Sequence, residues 1–239
     1  MAQRSRIGFV VALVVVGALA TGCSTVSKIK QAVHTVEGNK ATIDSFSQNL
    51  QSTKDTPFEA TYSTTGSSPA TVVYAVDPPS GGLAFRETQT GASASDVEII
   101  VNSSGEYLCN QSGSAGAWSC QKLSKADAAT QNKIFDIYTP SHWVSFLNGV
   151  SLVAGLSGDK VTTSTKSLNG FDMDCVDLVA KGVAGTSTIC STSQGILGYV
   201  SVASDSTSFQ ITNYSSAPAA SLFQLPPGAT VTTLTTPTS

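Results

Sequence analysis

The sequence predicts an α+β domain in which short antiparallel β-strands outnumber helices. Apolar and polar side chains alternate over many short stretches, and turn-forming residues separate these stretches about every 8–12 residues. Charged residues make up only 12% of the chain, while Ser, Thr and Gly are abundant, a composition typical of β-rich extracellular domains. Two stretches with apolar residues at helical spacing, one near the N-terminus and one near the middle, interrupt the strand pattern.

The first 23 residues form a pattern of charged, apolar and small residues that ends at a cysteine. Arg4 and Arg6 precede an apolar run, residues 7–16, and Cys23 directly follows Ala20-Thr21-Gly22. A charged start, an apolar core and small residues before a cleavage point are the parts of a secretory signal peptide. A cysteine after such small residues resembles a lipobox, in which the thiol is acylated and the cysteine becomes the first residue of the mature protein.

We therefore expect residues 1–22 to be removed, and lipid on Cys23 to anchor the mature chain to the outer face of the cell membrane. One alternative is an uncleaved transmembrane anchor, although the apolar run is near the short limit of the ~20 residues that a span needs. The other alternative is cleavage with release of the protein. All three place the rest of the chain outside the cytoplasm.

The mature chain is long enough for one domain with a sizeable core, since removal of residues 1–22 leaves 217 of the 239 residues. The signal takes away two arginines and no acidic residue, so the formal net charge changes from −3 to −5. Such a chain lacks the basic surface on which nucleic-acid binding depends. We therefore expect no nucleic-acid partner.

Four cysteines remain once Cys23 is assigned to lipid, and an even number in an oxidising compartment favours two disulfides. Of the three possible pairings, local geometry favours one. Cys109 and Cys120 become directly opposite across a four-residue loop, and Cys175 and Cys190 across a two-residue Gly-Val turn. The alternative is a four-cysteine metal site. The chain has no Cys-x-x-Cys and no histidine near these cysteines, so we predict no metal.

Residues 23–55 are expected to form a short tether and one N-terminal helix. Seven apolar residues recur there at intervals of three, four or seven, which places them on one helical face, although Gly38-Asn39 interrupts the pattern. We expect this face to pack against the protein's own sheet, the alternative being that it lies on the membrane. The seven residues are Val26, Ile29, Val33, Val36, Ile43, Phe46 and Leu50.

Residues 56–231 are expected to form the main domain, with about six strands before a helical insert and about five after it. The insert, residues 124–155, begins where Ser124 can cap a first helix, and Pro140 fits the first turn of a second helix capped by Thr139. The tail, residues 232–239, is rich in Thr and Pro and is expected to be disordered.

Three segments stand out within this order of elements. They are Phe58-Glu59-Ala60-Thr61-Tyr62, Val101-Asn102-Ser103-Ser104-Gly105-Glu106-Tyr107-Leu108, and Leu222-Phe223-Gln224-Leu225-Pro226-Pro227-Gly228-Ala229-Thr230-Val231. With the order of the elements, they resemble the LolA/LppX-like superfamily of bacterial lipoprotein carriers and lipid-binding lipoproteins. The similarity runs over roughly residues 26–231, and the lipobox looks more like the anchored LppX/LprG-type branch. The resemblance implies a single strongly curved antiparallel sheet, a half-barrel of about 11 strands, with helices covering its concave face.

The resemblance further implies a hydrophobic cavity between sheet and helices that holds an acyl chain or lipid. Such a ligand gains about 25 cal/mol for each Å² removed from water, so it needs an apolar lining. The alternative is that the alternating apolar residues fill an ordinary packed core. The candidate lining residues are Tyr62, Val72, Tyr74, Phe85, Val97, Ile99, Phe135, Trp143, Phe146 and Leu147.

The sequence has no motif for catalysis or cofactor binding, so we predict neither an enzyme nor a cofactor. It lacks a G-x-S-x-G nucleophile motif and phosphate-binding and dinucleotide-binding motifs. His34 and His142 are the only histidines, and nothing in the sequence marks a nucleophile and an acid to act with them. Asp172 and Asp174 share one strand face while Asp177 points to the other, so we interpret these three as a solvated edge and not as a cation site.

Two hypotheses for the function follow. The first is a lipid-anchored module that binds or transfers a hydrophobic ligand. The second is an envelope lipoprotein of the same fold with a packed interior, which acts as a structural or signalling partner of another envelope protein.

Overall fold

The structure is a computed structural model that describes residues 40–53, 55–66, 69–89, 95–113, 116–124, 139–153, 160–203 and 207–233. Several sequence predictions lie outside these residues. They are the signal peptide 1–22, the lipidated Cys23, the tether and first part of the N-terminal helix, His34, the part of the predicted insert that contains Phe135, and residues 234–239.

The described residues form one sheet of twelve strands and two α-helices. The sheet order is β12-β6-β5-β4-β3-β2-β1-β11-β10-β9-β8-β7, and every neighbouring pair is antiparallel except β12 and β6, which are parallel. The helices are α1 (Lys40–Gln51) and α2 (Pro140–Val153). The strands are β1 (Phe58–Thr64), β2 (Ala70–Asp77), β3 (Gly82–Gln89), β4 (Ser95–Asn102), β5 (Gly105–Ser112), β6 (Trp118–Lys122), β7 (Lys160–Leu168), β8 (Phe171–Val179), β9 (Ser187–Thr192), β10 (Leu197–Ser201), β11 (Ser208–Ser215) and β12 (Thr230–Thr233).

Along β1–β4 the main core cluster lies on one face of the sheet, and the cluster also includes residues of both helices. Period-2 alternation places one set of side chains of each strand on this face. Tyr74 of β2, Phe85 of β3 and Ile99 of β4 are directly opposite one another across three strands, and each is at most 3% exposed. Burial of such aromatic and branched side chains is the main favourable term holding the sheet and helices together.

The two helices pack against each other, and α1 also contacts β8 and β9. Ile43 and Leu50 of α1 and Leu147 of α2 are fully buried in the main core cluster. The apolar spacing that predicted a helix in each region therefore also identified the face that is buried. No helix among the described residues is long and apolar enough to cross a membrane.

The predicted half-barrel is wrong. The sheet is neither closed nor strongly curled, it has twelve strands in the described chain, and the helices do not cover a concave face. The edge strands explain why the sheet stays open. In β7 only Val161 is buried, and all four residues of β12 are exposed, so neither edge has the inward apolar row that closure would bury. The helices are also short, with 12 and 14 residues.

A second cluster lies on the opposite face of the sheet from the main core. Ile100, Tyr107, Cys109 and Cys120 are buried there, and Leu225 and Ala229 of the C-terminal segment pack against them. Asn102 Nδ2 donates to Phe223 O at 2.9 Å and holds the start of this segment. The segment then enters β12, which includes Thr232 and Thr233, although the sequence predicts disorder from residue 232. Backbone pairing to β6 orders these residues, and a side-chain pattern does not reveal such pairing.

Candidate functional site

Both predicted disulfides are present, each between directly opposite residues of neighbouring strands. Cys109 of β5 is bonded to Cys120 of β6, and Cys175 of β8 to Cys190 of β9, with a Cα–Cα distance of 4.0 Å in each pair. All four residues are at most 1% exposed. The bonds are therefore structural cross-links, and no reductant reaches them without opening of the strands.

The predicted ligand-lining residues lie within packed structure. Nine of the ten are described, and their exposed fractions range from 0 to 6%. Eight of them belong to the main core cluster, and Val97 is buried without belonging to it. Tyr62 packs edge-on against Phe209 with ring centroids 5.6 Å apart, and Trp143 packs on Phe146 at 5.7 Å. Their role as a ligand lining stays a prediction, and their observed contacts are with one another and with neighbouring core residues.

The three aspartates of β8 have different surroundings. Asp177 accepts hydrogen bonds from Ser164 Oγ at 2.5 Å and from Thr188 Oγ1 at 2.6 Å, and Asp172 accepts one from Ser167 Oγ at 2.7 Å. Asp174 is exposed. In the described part of the chain, no group of three or more His, Cys, Asp or Glu side chains is placed to hold a metal ion.

A polar groove of about 860 Å³ lies between α1 and strands β7–β9, and we call it the hydroxyl groove. It lies where α1 packs over β8 and β9. Its volume is within the range of about 300–1,000 Å³ that is usual for small-molecule sites. It is lined by Ser45, Phe46, Asn49, Thr163, Ser164, Thr165, Asp174, Cys175, Ser191 and Ser193.

Strand register and one helix side chain organise this groove. Thr165, Asp174 and Ser191 are directly opposite one another on β7, β8 and β9, so their side chains share one face of the sheet. Asn49 of α1 donates through Nδ2 to Ser191 Oγ at 3.0 Å and to Thr192 O at 3.1 Å. These two bonds use both Nδ2 hydrogens, so the amide orientation is set and Oδ1 is left as an acceptor.

A smaller cleft of about 540 Å³ lies at the end of the sheet where the C-terminal segment crosses it. Asp77, Ser103, Ser104 and Gln224 supply most of its polar lining, and Phe223 supplies an apolar wall. Its polar groups are largely occupied by local turns. Ser80 Oγ donates to Asp77 Oδ2 at 2.5 Å, and Ser104 N donates to Asn102 Oδ1 at 2.8 Å.

A charged pair lies beside the second cluster. Arg86 of β3 is directly opposite Glu98 of β4, with Arg86 Nη2 3.7 Å from Glu98 Oε2, and the Arg86 guanidinium lies 5.3 Å from the centroid of the Trp118 ring. Burial raises the pKa of the Glu98 carboxyl, although the Arg86 guanidinium opposes this and the Asp96 carboxylate adds to it. The guanidinium therefore offsets part of the cost of burying the Glu98 carboxylate.

Sequence reasoning did not find the hydroxyl groove, because its two walls are 142 residues apart at Asn49 and Ser191. One signal was visible. The strand 160–168 has Thr or Ser at five of nine positions, on both faces, which indicates a strand that no helix covers. Nothing local indicated which helix would lie beside it.

Comparisons with known proteins identify no family for this chain. No protein-family model matches it, and no curated protein matches it. Among solved structures it is similar to an uncharacterized conserved protein from Thermus thermophilus, with 8% sequence identity and a TM-score of 0.46, over 80% of this chain and 98% of the other. The resemblance to the LolA/LppX-like superfamily therefore stays a prediction. The fold itself defines only a class: a domain built on one open, mainly antiparallel sheet with two buried cross-strand disulfides.

Proposed function

We propose that this protein is an extracytoplasmic lipoprotein, anchored by lipid on Cys23, whose domain acts through its surface as a structural or signalling partner in the cell envelope. This is the second of the two hypotheses that the sequence supports. The observation that favours it is the burial of the candidate lining residues, which are at most 6% exposed and contact one another within the core. None of them lines the hydroxyl groove or the smaller cleft.

The anchoring part of the proposal is supported by the lipobox-like sequence before Cys23 and by the two disulfides. Disulfides persist in oxidising compartments, which agrees with export of the chain. Lipidation is tested by metabolic labelling with an alkyne fatty acid in the source bacterium. Wild-type protein is expected to carry the label, and Cys23→Ala to lose it while Cys109 and Cys120 still form their bond. A label retained on Cys23→Ala contradicts the proposal.

The surface role is tested by native mass spectrometry of the full chain purified from its own envelope, followed by organic extraction. Extraction removes non-covalent lipid and leaves the covalent anchor, so the two are distinguished. We expect no stoichiometric extractable lipid. A bound lipid that Val97→Trp removes without unfolding the protein would instead support the carrier hypothesis.

A further inference from the structure

The hydroxyl groove has the composition of a site for an uncharged, hydroxyl-rich ligand. Eight of its ten lining residues are Ser, Thr, Asn or Asp, and hydroxyls supply six of these eight side chains. Hydroxyls both donate and accept, so a wall of them matches a ligand that also does both at many closely spaced positions. Phe46 and the Cys175–Cys190 disulfide add apolar surface to the lining.

Two acceptors in the groove have hydrogen-bonding capacity to spare. The Asp174 carboxylate is exposed and has no hydrogen-bond or ion-pair partner in the described part of the chain, whereas Asp172 and Asp177 of the same strand are both bonded. Asn49 Oδ1 is the second, since the two bonds from Nδ2 hold the amide in place. A carboxylate accepts two hydrogen bonds side by side, the arrangement offered by neighbouring hydroxyls of a sugar ring.

The charge of the lining excludes anionic ligands. Asp174 is the one ionisable residue among the ten, so the groove carries negative charge and no cation. A phosphate or carboxylate ligand would be repelled here, because nothing in the lining offsets its charge. A long acyl chain would meet hydroxyl groups that it cannot satisfy.

We propose that the hydroxyl groove binds a neutral glycan, with Asp174 and Asn49 as acceptors for its hydroxyls and the exposed Thr163 and Thr165 completing the hydrogen bonds. This proposal rests on the proposed surface role and makes that role specific. A failure of glycan binding is distinguishable from a failure of anchoring, because neither the labelling of Cys23 nor the extraction of lipid involves Asp174.

The test is saturation-transfer NMR and calorimetry on the full chain in a polyoxyethylene ether detergent, which has no sugar headgroup. The probes are maltotriose, mannotriose and chitotriose, with inorganic phosphate as the anionic comparison. We expect saturation transfer to at least one trisaccharide and none to phosphate, with an affinity that does not change with salt because the ligand is uncharged.

Asp174→Ala and Asp172→Ala form a matched pair, since both residues are exposed on the same face of β8 and only Asp174 lines the groove. Asp174→Ala is expected to weaken binding about tenfold or more, because hydrogen bonds to a charged group are lost. Asp172→Ala is expected to change it less than about twofold. Absence of transfer to all three trisaccharides, binding of phosphate, or equal effects of the two substitutions would overturn the proposal.

Discussion

Asn49 of α1 donates a hydrogen bond through Nδ2 to Ser191 Oγ of β9 at 3.0 Å, which joins the N-terminal helix to a strand 142 residues further along the chain. The same amide also donates to Thr192 O at 3.1 Å. Just beyond the helix, Thr53 Oγ1 donates to Gly195 O at 2.9 Å. The C-terminal end of α1 is thus attached to the β9–β10 hairpin by three hydrogen bonds, and this attachment also forms one wall of the hydroxyl groove.

Asn49→Ala is expected to lower the free energy of unfolding by about 1–3 kcal/mol, because Ser191 Oγ and Thr192 O lose their donor in a place with little access to water. Urea unfolding of the variant measures this as a lower midpoint with an unchanged slope. Gln48→Ala is the control, since Gln48 is exposed on the same helix. Equal midpoints for the two variants would show that the amide contacts add nothing to stability.

Gly195→Ala is expected to be more destabilising than Gly182→Ala. Both glycines have positive φ, +75° and +82°, so both substitutions incur the backbone strain of about 1–2 kcal/mol that a left-handed conformation imposes. A Cβ on Gly195 would also lie 2.5 Å from Asn49 O, whereas one on Gly182 would meet nothing within 4 Å. The difference in thermal stability between the two variants measures the effect of the close approach of α1 to Gly195. A larger loss of stability for Gly182→Ala than for Gly195→Ala would contradict this prediction.

Removal of either disulfide is expected to cost about 3 kcal/mol, because the bonds close loops of 11 and 15 residues. The two losses should add, since six strands separate β5 from β9 in the sheet and the two pairs belong to different core clusters. Unfolding of Cys109→Ala/Cys120→Ala, Cys175→Ala/Cys190→Ala and the quadruple variant measures the three values. A quadruple loss that differs from the sum by more than about 1 kcal/mol would show coupling across the sheet.

Stability is expected to fall with rising pH in the range where Glu98 titrates. Burial raises the pKa of this carboxyl above its ordinary value of 4.5, so the folded state holds the proton more tightly than the unfolded state does. The resulting loss of stability is absent below the pKa of Glu98 in the unfolded state and grows from about pH 4.5 upward. It is complete above the pKa of Glu98 in the folded state.

Glu98→Gln has no proton to lose, so its unfolding free energy relative to wild type should increase with pH across this range and then level off. Arg86→Met should move the range to higher pH, because the guanidinium holds the pKa of Glu98 down. Urea unfolding at several pH values measures both effects. A constant difference between Glu98→Gln and wild type from about pH 4 to pH 8 would exclude this role for Glu98.

The local parts of the fold were predictable from the sequence. Helical spacing identified Ile43, Phe46 and Leu50 as the buried face of α1, and alternation identified Tyr74, Phe85 and Ile99 as a shared core face. Overall curvature was not predictable in this way. Alternation shows which side of a strand is apolar, but it does not show how far the sheet bends. The half-barrel was therefore predicted from the resemblance alone, and the open sheet shows that this prediction was wrong.

By itself the sequence determined the short-range pairings: Cys109 with Cys120 and Cys175 with Cys190 are brought opposite by the lengths of the loops between them. Only the tertiary structure decided the long-range contacts, above all the placement of Asn49 beside Ser191 and the parallel pairing of β12 with β6. The physical reason is that a short loop restricts the register of the strands it joins, whereas elements more than a hundred residues apart meet according to how the whole core packs.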